Sequence, residues 1–130
     1  MADLDELKAI VEQMTAAMSS HDVERFVALV HDEIIAFNPF SPFATVGKAA
    51  FRQAVQANVA NSESITATAI NPQCQVIGTT GIVWSHLALA RKPKDGPLAT
   101  VFVRVLWTFV KAEGRWLLVG GHASRLPSGN

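Results

Sequence analysis

The chain has 130 residues, enough for one domain with one core, which excludes a multidomain enzyme. With 49% hydrophobic and 17% charged residues and a mean hydropathy of +0.23, it is too apolar for disorder, and part of its apolar surface is expected to face a partner or a cavity. Eleven basic and eleven acidic residues cancel to a formal net charge of zero, which leaves no general footprint for nucleic acid or an anionic membrane. The single cysteine, Cys74, supplies neither an intrachain disulfide nor the paired spacing of a structural zinc site, so a reducing compartment is expected. Asp3, Asp5 and Glu6 stand where a signal peptide would be basic and then apolar, and no apolar run nears the roughly 20 residues that span a bilayer. The expectation is a soluble, cytoplasmic protein.

The first segment spaces Leu4, Leu7, Val11, Met14 and Met18 at steps of three and four, one face of a helix, and Asp3 with Glu6 reads as a capping box. His21-Asp22 breaks that helix, and Asp22 is placed to cap a short second one whose stripe is Phe26, Leu29 and Val30. Ile34 to Phe37 reads as a short strand, ended by Asn38-Pro39-Phe40-Ser41-Pro42, where two prolines forbid regular pairing. From Gly47 to about Asn61 the helical period returns, with Phe51, Val55 and Val59 at steps of four.

Beyond that, Thr, Ile and Val enrichment marks four strands, at residues 64–77, 81–91, 98–111 and 115–125. Their separators are short, among them Asp95-Gly96 and Glu113-Gly114, so an antiparallel meander is expected. The strand from Val101 to Val110 is apolar on both faces. Three helices can cover one face, and a second copy of the chain is the economical cover for the other, with Arg104 and Leu106 as interface residues. The domain is taken as residues 1–126, with 127–130 a frayed tail.

This element order resembles the cone-shaped α+β fold of the nuclear-transport-factor-two-like superfamily, which includes the SnoaL-like cyclases, ketosteroid isomerase and the calcium/calmodulin-dependent protein kinase association domain. The local match is nearest the association domain. Ala36-Phe37-Asn38-Pro39 is similar to its Ala-Phe-Glu-Pro, Asn71-Pro72-Gln73-Cys74-Gln75-Val76-Ile77-Gly78 to its Asn-Pro-x-Val-x-Val-Ile-Gly, and Gly114-Arg115-Trp116 with His122-Ala123-Ser124 to its ending. The resemblance implies a curved antiparallel sheet, a short first strand plus the meander, wrapped by three N-terminal helices around a pocket, with His122 turned away from it as a further interface residue.

It also implies that the ketosteroid isomerase chemistry is missing. The position of that enzyme's aspartate base is Asn38, whose amide takes no proton near neutrality. Its first-helix tyrosine aligns with Met14, its partner acid falls near Val105, and the chain contains no tyrosine. Independently, all eleven carboxylates fall in predicted helices, element ends or turns rather than inside strands. Cys74 has no activating signature, and the histidines at 21, 31, 86 and 122 have no metal-ligand spacing, so neither metal nor cofactor is expected.

The expected pocket combines Met14, Met18, Phe40, Val55, Trp84 and Trp107 with Asn38 and His86 as polar anchors, His86 aligning with an arginine of the association-domain pocket. The preferred reading is a dimeric protein that binds a small, partly apolar carbonyl or carboxylate ligand. Two alternatives stay open: a SnoaL-like isomerase, dehydratase or cyclase with His86 as its acid-base group, and a non-catalytic oligomerisation module.

Overall fold

A computed structural model describes residues 2–127; the tail expected at 127–130 lies, beyond position 127, outside the described residues. The elements are α1 (Ala2–Ser19), α2 (Val23–Val27), β1 (Val30–Phe37), β2 (Thr45–Val46), α3 (Lys48–Ala60), β3 (Ser62–Ile77), β4 (Thr80–Pro93), β5 (Ala99–Ala112) and β6 (Arg115–Arg125). The α+β cone expected from the sequence is present, with three differences of detail. β1 begins at Val30, because α2 ends at Val27 with Ala28 as its C-cap and Leu29 forms the turn between the two elements. A two-residue β2 pairs with β1, Ile35 opposite Val46, and the proline-rich loop between them makes the turn. Asp3 does not cap α1, which already runs from Ala2; it and Glu6 instead bind Lys111 of β5, at 2.7 and 3.6 Å, and Lys111 lies over the Trp116 ring. Asp22 does cap α2, its carboxylate accepting the Arg25 amide at 3.1 Å.

The six strands form one sheet in the order β2-β1-β6-β5-β4-β3, with β1 joining β6 in parallel and the other pairs antiparallel. Glu113 and Gly114, both at positive φ (53° and 76°), close the β5–β6 hairpin in the primed-turn geometry that matches strand twist. The register shifts between Val30 and Ile35 in β1 and between Ser62 and Ser64 in β3, and at two further bulges. One lies in β3 between Ile70 and Gln73, where Asn71 sits at φ 53° before Pro72, and one in β6 opposite Thr108 and Phe109. Each inserts one residue and so reverses which parity faces inward.

The core lies between the inner face and the helices. Val83 and Leu87 of β4, Val103, Val105, Trp107 and Phe109 of β5, and Trp116 and Leu118 of β6 pack against Leu7, Val11, Met14 and Ala17 of α1. On the outer face Trp84, Phe102 and Leu106 remain 44–51% exposed.

Gly81 sets how closely α1 approaches. A Cβ there would meet Leu7 Cδ2 at 2.8 Å and Trp116 Cζ3 at 3.3 Å, and Leu7 is fully buried with no room to yield. Gly81→Ala is therefore expected to destabilise the fold by about 1–3 kcal/mol in urea denaturation, an overpacking cost. An unchanged midpoint would mean that α1 can lift without penalty.

Candidate functional site

The bent sheet and the helices leave a cavity of about 640 Å³. Its inner wall is the concave face of β5, from Ala99 through Val101, Val103 and Val105 to Trp107, flanked by Leu87 and Leu89 of β4 and by Gly121 and Ala123 of β6. Small residues at Ala36, Gly121 and Ala123 leave room beside the Trp107 ring. Met14 and Met18 of α1 and Phe51, Val55 and Val59 of α3 form the opposite wall, while Asn38 to Ser41 and Pro93 with Pro97 border it from the loops.

Of the expected pocket residues, Met14, Met18, Asn38, Phe40, Val55 and Trp107 all line this cavity. Trp84 and His86 do not. Along β4 the buried positions are Gly81, Val83, Ser85 and Leu87, so the even-numbered side chains lie on the outer face. There Trp84 stands beside Leu106, and His86 between Ile70 and Arg104. The anchor role given to His86 is corrected on this ground. Arg104 and Leu106 occupy the outer face as expected. His122, opposite Leu106 and with its ring 5.6 Å from that of Phe37, borders the cavity as well.

Among the polar wall residues that were not singled out as site residues from the sequence, His21 and Arg91 bear most on the site. His21 takes the left-handed conformation (φ 60°) that ends α1 and lines the cavity, a place its role as a helix breaker did not reveal. Arg91 is the inward residue near the end of β4. Its Nε donates to Ser62 Oγ at 2.6 Å and its Nη2 to the Asn61 carbonyl at 3.3 Å. The alternation Leu87, Leu89, Arg91 was readable, once the parity of β4 was known.

The electrostatics are one-sided. Asp22 is the one carboxylate on the wall, and it is engaged in capping α2. Asp32, Glu33 and Glu63 do fall inside strands, contrary to expectation, because β1 and β3 start earlier than the sequence indicates; all three are exposed and away from the cavity, and Asp32 and Glu63 pair with Lys48 and Lys92. Asn38 is committed through its side-chain oxygen, which accepts the Phe40 amide at 2.8 Å and holds the turn before the loop, leaving its NH₂ as a donor. Among the described residues no group of three or more His, Cys, Asp or Glu is placed to hold a metal, and no helix is long and apolar enough to cross a membrane.

The arrangement is that of an α+β cone whose sheet and helices enclose a predominantly apolar cavity with a few polar groups on its wall. The sequence profile of the SnoaL-like domain matches residues 7–128, and the chain belongs to that family. Solved structures with the same fold include a candidate dehydratase of the nuclear-transport-factor-2-like family from Streptomyces avermitilis, 20% identical, covering 98% of both chains with a TM-score of 0.89. A candidate scytalone dehydratase from Novosphingobium aromaticivorans is 14% identical over 97% of this chain and 85% of its own, TM-score 0.87. A candidate calcium/calmodulin dependent protein kinase II association domain from Xanthomonas campestris is 14% identical over 95% and 87%, TM-score 0.84. A comparison with curated proteins finds no match.

Cys74 lies on the inner side of β3, opposite Val83 and half-buried, and burial raises its thiol above the ordinary value while Lys8 lowers it by less. A raised thiol is poorer in thiolate at neutral pH, the reverse of an activated nucleophile. Alkylation by iodoacetamide at pH 8 should therefore run slower than for N-acetylcysteine and climb only as pH passes the ordinary thiol range. Reaction faster than the free thiol would contradict this.

Proposed function

We propose that the chain is a small-molecule pocket protein, taking a partly apolar carbonyl or carboxylate ligand into the cone, and that it works as a homodimer joined through the outer sheet face. The observation that carries the pocket reading is α3. None of its residues is fully buried, and its apolar stripe of Phe51, Val55 and Val59 lines the cavity only partly buried, although Phe51 and Val55 also touch the edge of the core. A helix draws most of its stability from packing its apolar face, so this one stands to gain from an apolar occupant. The walls combine flexible methionines and aromatic rings with few polar groups, the usual make-up of a ligand cavity, and about 640 Å³ is an ordinary size for one.

Neutral Nile red should bind saturably, with one site per protomer, and slow hydrogen exchange in α3. Val55→Trp, which fills the wall, should weaken the dye by about tenfold or more, the equivalent of 1.4 kcal/mol. Absence of saturable binding, together with unchanged α3 exchange, would remove the pocket reading.

Steroid isomerisation is expected to be undetectable, since Asn38 stands at the base position and its oxygen is already engaged by Phe40. A catalytic role for His86 has no support from its outer-face position. Robust turnover of a 5-ene-3-ketosteroid by the unmodified protein would show that another group supplies the base.

For assembly, the half-exposed Trp84 and Leu106 stand opposite each other, with Phe102 beyond the His86–Arg104 row, an apolar face that a second copy would cover. The protein should run in light scattering at twice its 14.0 kDa protomer mass or more, and Leu106→Asp should give monomer or aggregate. A monomeric mass at micromolar concentration would remove the dimer.

A further inference from the structure

We propose that Arg91 is the anion anchor of the cavity, and that the ligand it selects is an amphipathic monocarboxylate: the carboxylate on the guanidinium, the apolar body along β5 toward Trp107. This rests on the pocket reading and narrows it to one chemical class.

Arg91 is fixed before any ligand arrives. Ser62, 4% exposed, donates its hydroxyl proton to the Asn58 carbonyl at 2.6 Å, so the same oxygen can only accept from Arg91 Nε. With Nη2 on the Asn61 carbonyl, both contacts use the Nε–Nη2 edge of the guanidinium. A guanidinium carries five N–H groups in a rigid fork, so three remain, including the pair at the Nη1–Nη2 end that matches a carboxylate. No carboxylate of the described residues lies within ion-pair distance of Arg91; Glu63, close in the chain to Ser62, pairs with Lys92 at 2.5 Å. The cation thus lines the cavity partly buried and without a protein carboxylate, its free N–H groups open to a ligand carboxylate.

The track leading away from it fixes the rest of the ligand. Arg91 stands opposite Ala99 in register, and β5 continues inward through Val101, Val103 and Val105 to Trp107. Eight residues of strand extend about 26 Å at the usual 3.3 Å rise, less the curvature of the sheet, so the wall offers apolar contact well beyond the reach of a short acid. An aryl-alkyl or acyl chain uses that wall; acetate does not.

The competing account is that Arg91 only closes the carbonyl end of α3, where a cation complements the helix dipole. That role is filled by the contacts to Ser62 and Asn61 and gives no reason for acids to bind better than alcohols. Displacement of neutral Nile red by 6-phenylhexanoate, 6-phenylhexanol and 6-phenylhexylamine, with acetate as the short control, separates the two.

In the unmodified protein the acid should displace the dye at about tenfold lower concentration than the alcohol, as a charge-assisted bond provides, with the amine weakest and acetate inactive. Arg91→Gln, checked for folding by circular dichroism, should bring the acid down to the level of the alcohol and leave the alcohol unchanged. Arg91→Lys, which keeps the charge but loses the fork, should fall between. Equal displacement by acid and alcohol in the unmodified protein overturns the anchor while the pocket reading stands, and that comparison needs no variant. Acid preference surviving in folded Arg91→Gln overturns it too, by placing the carboxylate elsewhere. If neither compound displaces the dye, the pocket reading falls and the anchor with it.

Discussion

The bend of the sheet governs the rest of the molecule. A flat sheet with the inner-face composition of β4, β5 and β6 would pack directly on the helices and leave no interior space. The bulges at Asn71 in β3 and beside Gly120 in β6 add one residue to each strand and raise the local twist, and the curved sheet leaves the cavity between its concave face and α1 and α3. Gly81 lets Leu7 and Trp116 close over β4 at the narrow end, and the small residues Ala36, Gly121 and Ala123 keep the centre open.

Curvature also explains the division of labour between polar groups. The carboxylates are spent on structure: Asp3 and Glu6 tie α1 to Lys111, Asp22 caps α2, and Glu24 binds Arg52 across α2 and α3. What remains on the cavity wall is neutral or cationic, and its two best-defined members are already oriented by neighbouring groups, Asn38 by the Phe40 amide and Arg91 by the Ser62 hydroxyl and the Asn61 carbonyl. Groups held in this way present fixed donors to the cavity at little further entropic cost. Asn38 and Arg91 thus present donors to the cavity, with His21 and His122 beside them on the wall.

Much of the fold was legible because the signals were local. The stripe of α1, the cap at Asp22, the break at Asn38-Pro39 and the turn at Glu113-Gly114 each reflect a few neighbouring residues, and each lies where those residues dictate, whereas β2 is too short to leave a pattern. The site was legible only in part. Met18 and Val55 followed from the helical period, while Met14, Asn38 and Trp107 were reached through the family resemblance, since β5 is apolar on both faces and its own pattern does not set parity. His86 and Trp84 were placed on the wrong face because β4 is apolar on both sides: Val83 and Leu87 point in, Ile82 and Trp84 point out, and alternation of polarity, the usual guide to parity, is absent. Arg91 was passed over for the same reason, since it faces the cavity only if Leu87 and Leu89 do.

The same doubling of apolar faces carries the physical content of the sheet. In an antiparallel sheet with one wet side, β5 would alternate valine with polar residues. Here Phe102 and Leu106 alternate with Val101, Val103 and Val105, and Arg104 is bonded to Ser124 rather than left free. One strand therefore contributes to two apolar environments through neighbouring residues, the cavity wall through odd positions and the outer patch through even ones. Because the side chains alternate on one rigid backbone, a change in sheet curvature that widens the cone must also reshape the outer patch. The bulge in β3 begins directly after Ile70, in the row formed by Ile70, His86 and Arg104, so the bend that shapes the cavity wall also sets the outer face at that row.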